Sequence, residues 1–288
     1  MKNKVMKENR MRSVTLIFSF LLLTGSIHGA LISHYTFDSE SGGQTSDSIG
    51  SSFATLGGGV EIDTTVADRI GSGALRMNGS DSINGPGDGA VTDNDFTWSN
   101  DARTITFWWR AENPNVQSNW GTYFSNGDLS GSGTRFDIRE DGDSGANLRV
   151  EVEGAGFTTD PANFDDANWH FVAVTVPDNA TFQDIAWYTG VRGGTLGADL
   201  NASSNSQAIA TAPGPLVFGD SILQEATKSG YVPNGYLDDF QLYDEMLSLA
   251  QINDLYTNPG SVVPEPSSVG LLALTLAMVL GSRRRRSA

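Results

Sequence analysis

The chain has 288 residues, with 18 basic and 34 acidic side chains, 33 glycines and no cysteine. Its net charge of −16 argues against nucleic acid and anionic membranes as partners, because a negative surface repels polyanions. Without cysteine the fold has no disulfide, so its stability has to come from a sizeable core.

The first 30 residues predict a secretory signal peptide. Five basic residues between Lys2 and Arg12 precede the apolar stretch from Val14 to Leu23, and small residues follow as far as Ala30. A basic region, an apolar region and a small-residue site in this order are typical of a signal that is removed during export. We expect the secretion machinery to recognise this segment and cleavage to follow Ala30.

Residues 31–258 predict one all-β domain. Short alternating segments recur here between turns that are rich in glycine and aspartate. The expected strands are Leu31–Phe37, Ala74–Asn78, Thr104–Arg110, Thr122–Ser125, Arg135–Arg139, Leu148–Glu153, Trp169–Val176, Ile185–Thr189, Leu216–Gly219 and Tyr236–Tyr243. Many short strands at this spacing indicate a two-sheet antiparallel sandwich or jelly roll.

Two of these strands show different burial patterns. In the strand around Phe107, the residues Ile105, Phe107 and Trp109 share one face. The segment Trp169–Val176 is apolar on both faces after its second residue, so we predict that it is a central strand.

A β-hairpin is predicted in the middle of the domain. Arg135–Arg139 and Leu148–Glu153 alternate cleanly, so each is expected to show one face to water. The loop between them, Glu140–Asn147, is a Gly/Asp turn. Within it, Asp141–Gly145 imitates the start of an EF-hand calcium loop, but the glycine and glutamate that such a loop requires are missing. We interpret it as a hairpin turn.

One helix is predicted, at Leu249–Tyr256. Ser248 and Gln251 form a capping box, apolar residues recur at helical spacing, and Asn258–Gly260 ends the helix. The stretch Gly193–Pro213 is long and rich in Ala, Ser and Asn, so we expect a variable loop there.

Three parts of the domain resemble the concanavalin A-like, laminin-G-like family of bacterial surface modules. They are the opening His34–Asp38 with the turn Asp47–Gly50, the strand Thr104–Trp109 with Trp169–Thr175, and the closing Gly235–Tyr243 with its helix. The resemblance covers about residues 31–257 and implies a jelly-roll sandwich with one short C-terminal helix. Many members carry a Tyr-x-Asp-Gly turn where this chain has Thr189, so a role for that aspartate is not implied.

Residues 259–288 form a distinct tail. An apolar run, Val269–Leu280, separates two short motifs: Pro264, Glu265 and Pro266 before it, and Arg283, Arg284, Arg285 and Arg286 after it. This order resembles the PEP-CTERM sorting tail of Gram-negative bacteria, which implies an exosortase-type processing enzyme as a partner. It also implies a transient inner-membrane anchor, as the only membrane contact, and delivery to the cell envelope, outer surface or extracellular matrix.

The apolar run is shorter than the roughly 20 residues of an ordinary membrane-spanning helix. The alternative is therefore a buried C-terminal helix with a solvated basic end.

The domain between the two ends is more acidic than the whole chain. Nine basic and 32 acidic residues remain once the ends are set aside, which gives a net charge of −23. Such a surface suits divalent cations, neutral sugars or a salty medium, and it also keeps a protein soluble.

The resemblance to the laminin-G-like family implies a structural calcium ion. Its ligands would be Asp38 and Asp238, with Asp239 as an alternative, because calcium prefers carboxylate and carbonyl oxygens. The competing interpretation is that Asp238 and Asp239 cap a strand and hydrogen-bond to a loop.

No catalytic group is predicted. Sandwich enzymes that cut β-glucans present a Glu-x-Asp-x-x-Glu strand, since retaining hydrolysis needs two carboxylates about 5–5.5 Å apart. The nearest match begins with Glu61 and Asp63 and lacks the last glutamate, while Glu151 and Glu153 lie on a face predicted to be solvated. Neither a catalytic triad nor a metal site fits the spacing of the three histidines, which are His28, His34 and His170.

Aromatic side chains are the remaining candidates for a binding site, because aromatic faces can stack on sugar rings. We predict Trp98, Trp120 and Tyr123 as carbohydrate-binding residues, with Trp108 as a further candidate. Since the cores of β-sandwiches also use tryptophan heavily, core packing is the alternative for each of them.

The leading hypothesis is an exported, non-catalytic surface module that binds glycan or extracellular polysaccharide, or serves as a structural part of the matrix. Export signals around a complete sandwich favour it. The alternative is a polysaccharide hydrolase or lyase on the same fold, which would need a cleft with convergent carboxylates.

Overall fold

The computed structural model describes residues 30–78, 89–113, 121–141, 145–158, 164, 166–199, 201, 203–222 and 232–264. In these residues two antiparallel sheets form a sandwich, and a helix packs on the outer face of one of them. The predicted signal peptide up to residue 29 and the tail from Glu265 onward lie outside the described residues. Within the described ranges, no helix is long and apolar enough to cross a membrane.

Short strands dominate the described part of the chain. They are β1 (Leu31–Tyr35), β2 (Gln44–Ser46), β3 (Phe53–Leu56), β4 (Val60–Asp63), β5 (Ala74–Met77), β6 (Ala90–Thr92), β7 (Arg103–Ala111), β8 (Thr122–Gly127), β9 (Arg135–Asp141), β10 (Gly145–Val152), β11 (Ala155–Thr158), β12 (His170–Val176), β13 (Ala186–Val191), β14 (Val217–Phe218) and β15 (Gly235–Tyr243). The α-helix is α1 (Leu249–Thr257), and a 3-10 turn spans Phe182–Asp184.

The seven-stranded sheet has the order β13-β12-β7-β15-β5-β4, and β1 also pairs with β15. Strand β12 is hydrogen-bonded on both sides, which confirms the predicted central strand. Its Val172 and Val174 enter the core between the sheets, whereas Phe171 and Ala173 belong to a second cluster on the outer face. Both faces of β12 are therefore buried.

The core between the sheets is aromatic. Ile105, Phe107 and Trp109 of β7 all enter it, in agreement with their predicted common face. From β14 and β15, the rings of Phe218 and Phe240 meet edge to face with centroids 4.8 Å apart. Such ring pairs prefer this geometry, and they stabilise the fold beyond the burial of their apolar area.

The outer face of the seven-stranded sheet is covered by α1. Trp108 projects to this face and stacks on Tyr256 of the helix, with ring centroids 6.0 Å apart, while Phe171 lies 5.2 Å from Trp108. The further carbohydrate candidate Trp108 is thus a core residue. The predicted capping box is present, since the Ser248 side chain accepts a hydrogen bond from the backbone N–H of Gln251.

The eight-stranded sheet has the order β11-β10-β9-β8-β14-β6-β3-β2. The hairpin β9–β10 is confirmed, and its strands extend to Asp141 and from Gly145, so the turn is shorter than predicted. Strands β2, β3, β4, β6 and β11 were not predicted; each has only three or four residues, too few for a clear alternation. The described residues of Gly193–Pro213 contain no named strand, as expected.

Candidate functional site

The hairpin β9–β10 carries a row of charged side chains on the outer face of the eight-stranded sheet. We call this row the ladder, and its members are Arg135, Asp137, Arg139, Arg149, Glu151 and Glu153. It arises because charged residues alternate with apolar residues that pack between the sheets. Cross-strand pairing places Glu151 opposite Asp137. The same pairing places Arg149 opposite Arg139.

Arg135, at one end of the ladder, is the donor that its carboxylates share. Its Nη1 donates to Asp137, its Nη2 donates to Glu151 Oε1 at 2.5 Å, and its Nε donates to Glu153 Oε2 at 3.2 Å. Arg149 Nε donates to the other oxygen of Glu151 at 2.7 Å. One guanidinium therefore holds three carboxylates, which come from both strands of the hairpin.

The ladder is buried along β9 and more open along β10. Arg135, Asp137 and Arg139 are 3%, 0% and 4% exposed, whereas the side chains of Arg149 and Glu153 are 25% and 35% exposed. The prediction that this face is solvated was therefore wrong for β9. Alternation identified a polar face, and the mixture of arginines and carboxylates along each strand was the signal that these side chains pair with one another, along the strand and diagonally across it, instead of with water.

Asp137 and Glu151 lie in environments that move their pKa values in opposite directions. Burial raises the pKa of Asp137 above its usual value, although Arg135 and a hydrogen bond of 2.5 Å from Ser125 Oγ oppose this shift. Burial also acts on Glu151, but the charge of Arg139 and the contact with Arg135 outweigh it and lower the pKa of Glu151. Separated pKa values are typical of acid–base pairs, but Asp137 has no exposed surface for contact with a substrate.

A glycine on the neighbouring strand makes room for the open edge of the ladder. Gly156 of β11 lies opposite Glu151, and a Cβ atom at this position would collide with the guanidinium of Arg149. The missing side chain allows Arg149 to lie flat across β11. The edge formed by Arg149, Glu151 and Glu153 thus offers N–H donors and carboxylate acceptors side by side.

The predicted aromatic residues lie elsewhere. Trp98 is 4% exposed and lies over the buried guanidinium of Arg103, which is 5.0 Å from its ring centre. Tyr123 is fully buried, and its ring centroid is 4.4 Å from that of Trp109. Neither side chain presents a free ring face in this structure, and core packing describes both. Trp120 lies outside the described residues and stays a prediction.

Two of the predicted calcium ligands lie in an irregular part of β15, where its pairing with β7 shifts register. Asp238 accepts hydrogen bonds from the backbone N–H groups of Ile70 and Asp239, at 2.7 and 2.8 Å. Asp239 Oδ1 lies 2.8 Å from Nε2 of His34, and its Oδ2 accepts from Gly260 N at 3.0 Å. Both carboxylates therefore bind protein donors from neighbouring loops and strands.

The third predicted ligand, Asp38, accepts hydrogen bonds from Ser72 Oγ at 3.0 Å and Gly73 N at 3.2 Å. Burial, with the nearby charges of Asp239 and Asp38, raises the pKa of Asp238 well above its usual value. No three His, Cys, Asp or Glu side chains among the described residues converge in a way that could hold a metal ion. Protein donors already bind both oxygens of Asp238 and Asp239 and one oxygen of Asp38, and a structural calcium stays a prediction.

The other acidic and histidine candidates are dispersed. Glu61 pairs with Arg76 at 2.8 Å, and Asp63 accepts hydrogen bonds from its own turn; both lie on β4, at the edge of the other sheet. His170 bonds to Asp166 at 2.7 Å. Each group has a local partner, so the described residues do not combine them into one site.

The chain matches a family model over more than half of its length. The model describes the concanavalin A-like lectin/glucanases superfamily, in its laminin-G branch, and covers residues 84–253. No curated protein is significantly similar to the chain.

Solved structures with the same fold include three of different kinds. Domain 4 of AbnA, an extracellular GH43 arabinanase from Geobacillus stearothermophilus, in complex with arabinotriose, has a TM-score of 0.52 and 17% identity, with 79% of this chain and 98% of that domain covered. The binding domain of Paraclostridial Mosquitocidal Protein 1 has a TM-score of 0.50 and 15% identity, with coverage of 78% and 51%. Trypanosoma rangeli sialidase has a TM-score of 0.51 and 15% identity, with coverage of 81% and 33%.

The chain thus spans about half the length of the toxin domain and a third of the sialidase. At these identities the three likenesses establish the fold alone. The two facing sheets and the family match lead to one conclusion: the chain belongs to the concanavalin A-like lectin/glucanases superfamily.

Proposed function

We propose that the chain is an exported, non-catalytic module that binds an extracellular polysaccharide through the open edge of the ladder. The observation that carries this proposal is the row of Arg149, Glu151 and Glu153, which remains partly exposed while the rest of the ladder is buried. The family, and an arabinanase domain of the same fold in complex with arabinotriose, support a sugar as the ligand class.

The chemistry of the edge suits a neutral sugar. Each sugar hydroxyl donates one hydrogen bond and accepts others, so a good site has fixed donors beside fixed acceptors. The ladder contains three arginines and three carboxylates, so its formal charges balance. The hydrogen bonds from Arg135 and Arg149 fix the rotamers of Glu151 and Glu153 in the free protein. Ligand binding therefore does not have to order these two side chains, and the loss of conformational entropy on binding is smaller.

The proposal that the chain is exported is based on the two hydrophobic ends of the sequence. The positions of the residues next to these ends are compatible with export. The N–H of Ala30 donates to Asp244 at 2.8 Å, and Leu31 pairs with Tyr243. The N–H of Val263 donates to the hydroxyl of that same Tyr243, at 3.1 Å. Leu31, which follows the predicted cleavage site, and Val263, which precedes the predicted tail, therefore both contact Tyr243, so the two predicted segments would leave the domain at the same place.

A polysaccharide pull-down followed by calorimetry tests the proposal. We expect at least one neutral polymer to bind, and Arg149→Gln to weaken that binding tenfold or more, because it replaces the long, charged guanidinium with a shorter, neutral amide. Glu40→Gln, in an exposed loop away from the ladder, is the matched control and should bind like the parent chain. Failure to bind any polymer in a broad panel would remove the binding role and leave only a structural role in the matrix.

A hydrolase is the second candidate, and the opposite pKa directions of Asp137 and Glu151 are the observation that favours it. Retaining glycosidases use one protonated and one ionised carboxyl group. Release of reducing ends from a polysaccharide panel, lost in Glu151→Gln and retained in Glu61→Gln, would establish this activity and overturn the non-catalytic proposal. The full burial of Asp137 is the reason that we place binding first.

A further inference from the structure

Two arginines that form no ion pair within the described part of the chain line a pocket at one end of the seven-stranded sheet. The pocket has a volume of about 340 Å³ and is lined by Asp68, Arg110, Ala167, Asn168, Trp169 and Arg192. It is on the other sheet from the ladder, so it is a separate site. None of the sequence motifs discussed above predicted it.

Strand register brings the two arginines together. His170, the first residue of β12, pairs with Trp109 of β7 on one side and with Val191 of β13 on the other. Arg110 and Arg192 each follow one of these partners directly, so they flank the start of β12. The N–H of Arg192 donates to Trp169 O at 2.8 Å, which fixes this arrangement.

Backbone carbonyls hold the two guanidinium groups in place. Arg110 donates from Nε to Ala167 O and from Nη1 to Ala67 O, both at 2.8 Å, and Arg192 Nη1 donates to Asp68 O. Asp68 and Ala167 both adopt left-handed backbone angles, with φ of 59°. The arginines therefore stabilise two strained turns, and this is the structural role that the pocket would have without a ligand.

That structural role uses only part of each side chain. A guanidinium has five N–H donors, and the described residues accept two hydrogen bonds from Arg110 and one from Arg192. Neither arginine forms an ion pair with a carboxylate of the described residues, although the domain has 32 acidic residues against nine basic ones. The lining thus holds two guanidinium groups and one carboxylate, that of Asp68, and the positive charge in excess is suited to an anionic group, which a guanidinium can bind through two parallel hydrogen bonds.

The charge of the whole domain limits what that anion can be. The net charge of −23 gives the domain a negative electrostatic potential, which repels a polyanion. A ligand with a single carboxylate on a neutral body would meet far less repulsion. The exposed amide of Asn168 donates one hydrogen bond from Nδ2 to Asp166 at 2.8 Å, so its second N–H and its oxygen are the groups that it can offer to hydroxyl groups of the ligand. We infer that this pocket binds a sugar residue that carries one carboxylate within an otherwise neutral glycan.

Two model sugars test the inference, because methyl β-glucuronide and methyl β-glucoside differ only in a carboxylate against a hydroxymethyl group. NMR titration of the whole domain, followed at the indole N–H of Trp169, should show at least tenfold tighter binding of the glucuronide. Arg192→Gln should abolish that preference. Arg192→Lys should retain part of it, since lysine keeps the positive charge but lacks the planar guanidinium that donates two parallel hydrogen bonds. Asp68→Asn should strengthen glucuronide binding, because it removes the acidic group at the rim.

Equal affinity for the two sugars, or an unchanged preference in Arg192→Gln, would overturn the inference. A fall in melting temperature in Arg192→Gln without a change in sugar preference would likewise assign the arginines to turn stabilisation alone. Arg149→Gln separates this site from the ladder: it should weaken binding of a neutral polymer and leave the glucuronide preference intact. Each proposal can therefore fail without the other.

Discussion

The outer faces of the two sheets are buried by opposite means. On the seven-stranded sheet, Trp108 and Phe171 are covered by Tyr256 of α1, and Trp108 has no exposed surface. On the eight-stranded sheet, the ladder buries Asp137 to the same extent with charged neighbours. The ladder comes from strands with a clear alternation, whereas Phe171 comes from β12, which is apolar on both faces. Alternation therefore separates the two faces of a strand but does not determine whether the polar face is wet.

Substitutions on the two faces should also differ in how strongly they lower the free energy of unfolding. Apolar burial stabilises roughly in proportion to area, at about 25 cal/mol per Å², so a small loss has a small effect. A buried ion network gains little over an apolar replacement while it is complete, yet it becomes unfavourable once one partner is removed. We therefore expect graded responses on the helix-covered face and a steep response on the ladder.

Arg135→Ala should have the largest effect, a loss of about 3–5 kcal/mol in the free energy of unfolding, because it leaves the carboxylates of Asp137 and Glu151 without their shared donor. Urea unfolding followed by tryptophan fluorescence measures it. The control is Arg76→Ala, whose partners are more exposed, and it should cost under about 1 kcal/mol. A loss of that small size in Arg135→Ala would mean that the ladder is solvated after all.

The pH dependence of stability should depend strongly on Glu151. Its folded pKa is lower than its unfolded value, so the unfolded state binds the proton more tightly. The stability that ionised Glu151 confers is complete above its unfolded pKa and is lost as the pH falls through the folded pKa. Between about pH 5 and pH 3, the decline in unfolding free energy should thus be shallower in Glu151→Gln than in the parent chain.

Asp137 acts with the opposite sign. Because its folded pKa is raised, its contribution is present at low pH and is lost as the pH rises through the folded value. Urea unfolding at several pH values should separate the two residues. Identical slopes in Glu151→Gln and in the parent chain would contradict the assigned pKa direction.

Removal of the helix cap tests the other face and should have a smaller effect. Ser248→Ala deletes the acceptor for the N–H of Gln251 and should cost about 1 kcal/mol. Thermal unfolding monitored by near-UV circular dichroism, which reports on Trp108 beneath the helix, measures it. Ser39→Ala, in an exposed loop, serves as the control. An unchanged melting temperature in Ser248→Ala would mean that the helix cap does not stabilise the aromatic face.

Chelation should have the smallest effect. Since N–H groups of the protein already bind the oxygens of Asp38, Asp238 and Asp239, excess EDTA should leave the melting temperature unchanged. Differential scanning calorimetry of the protein as purified, before and after dialysis against EDTA, checks this expectation. A fall of several degrees would instead support the structural calcium that the family resemblance implies, through the linkage between binding and stability.

Much of the architecture could be predicted because its signals are local. The alternation in β7 and β9, the doubly apolar β12 and the capping box at Ser248 each lie within a few residues of one another. The strands that escaped prediction, such as β2 and β6, have three residues each. Pairing with neighbours, and not their own pattern, makes them strands.

The candidate sites could be predicted far less well. Trp98 and Tyr123 have the residue types of a sugar platform, but only packing decides that Arg103 and Trp109 occupy their faces. The pocket of Arg110 and Arg192 depends on the register of β12 with β13, which follows it, and with β7, which is distant in sequence. No spacing rule along the chain could bring these two side chains together.

By itself, the sequence determined an acidic, disulfide-free β-sandwich of a recognisable family, because hydrophobic period, turn chemistry and composition are all local properties of the chain. Only the tertiary structure decided which polar face is dry, which of the candidate aromatic rings are buried and which arginines form no ion pair among the described residues. Those properties depend on contacts between strands that are far apart in sequence. Burial also changes how much the same charged group contributes to the free energy of unfolding, from a negligible amount at the surface to a dominant one in the interior.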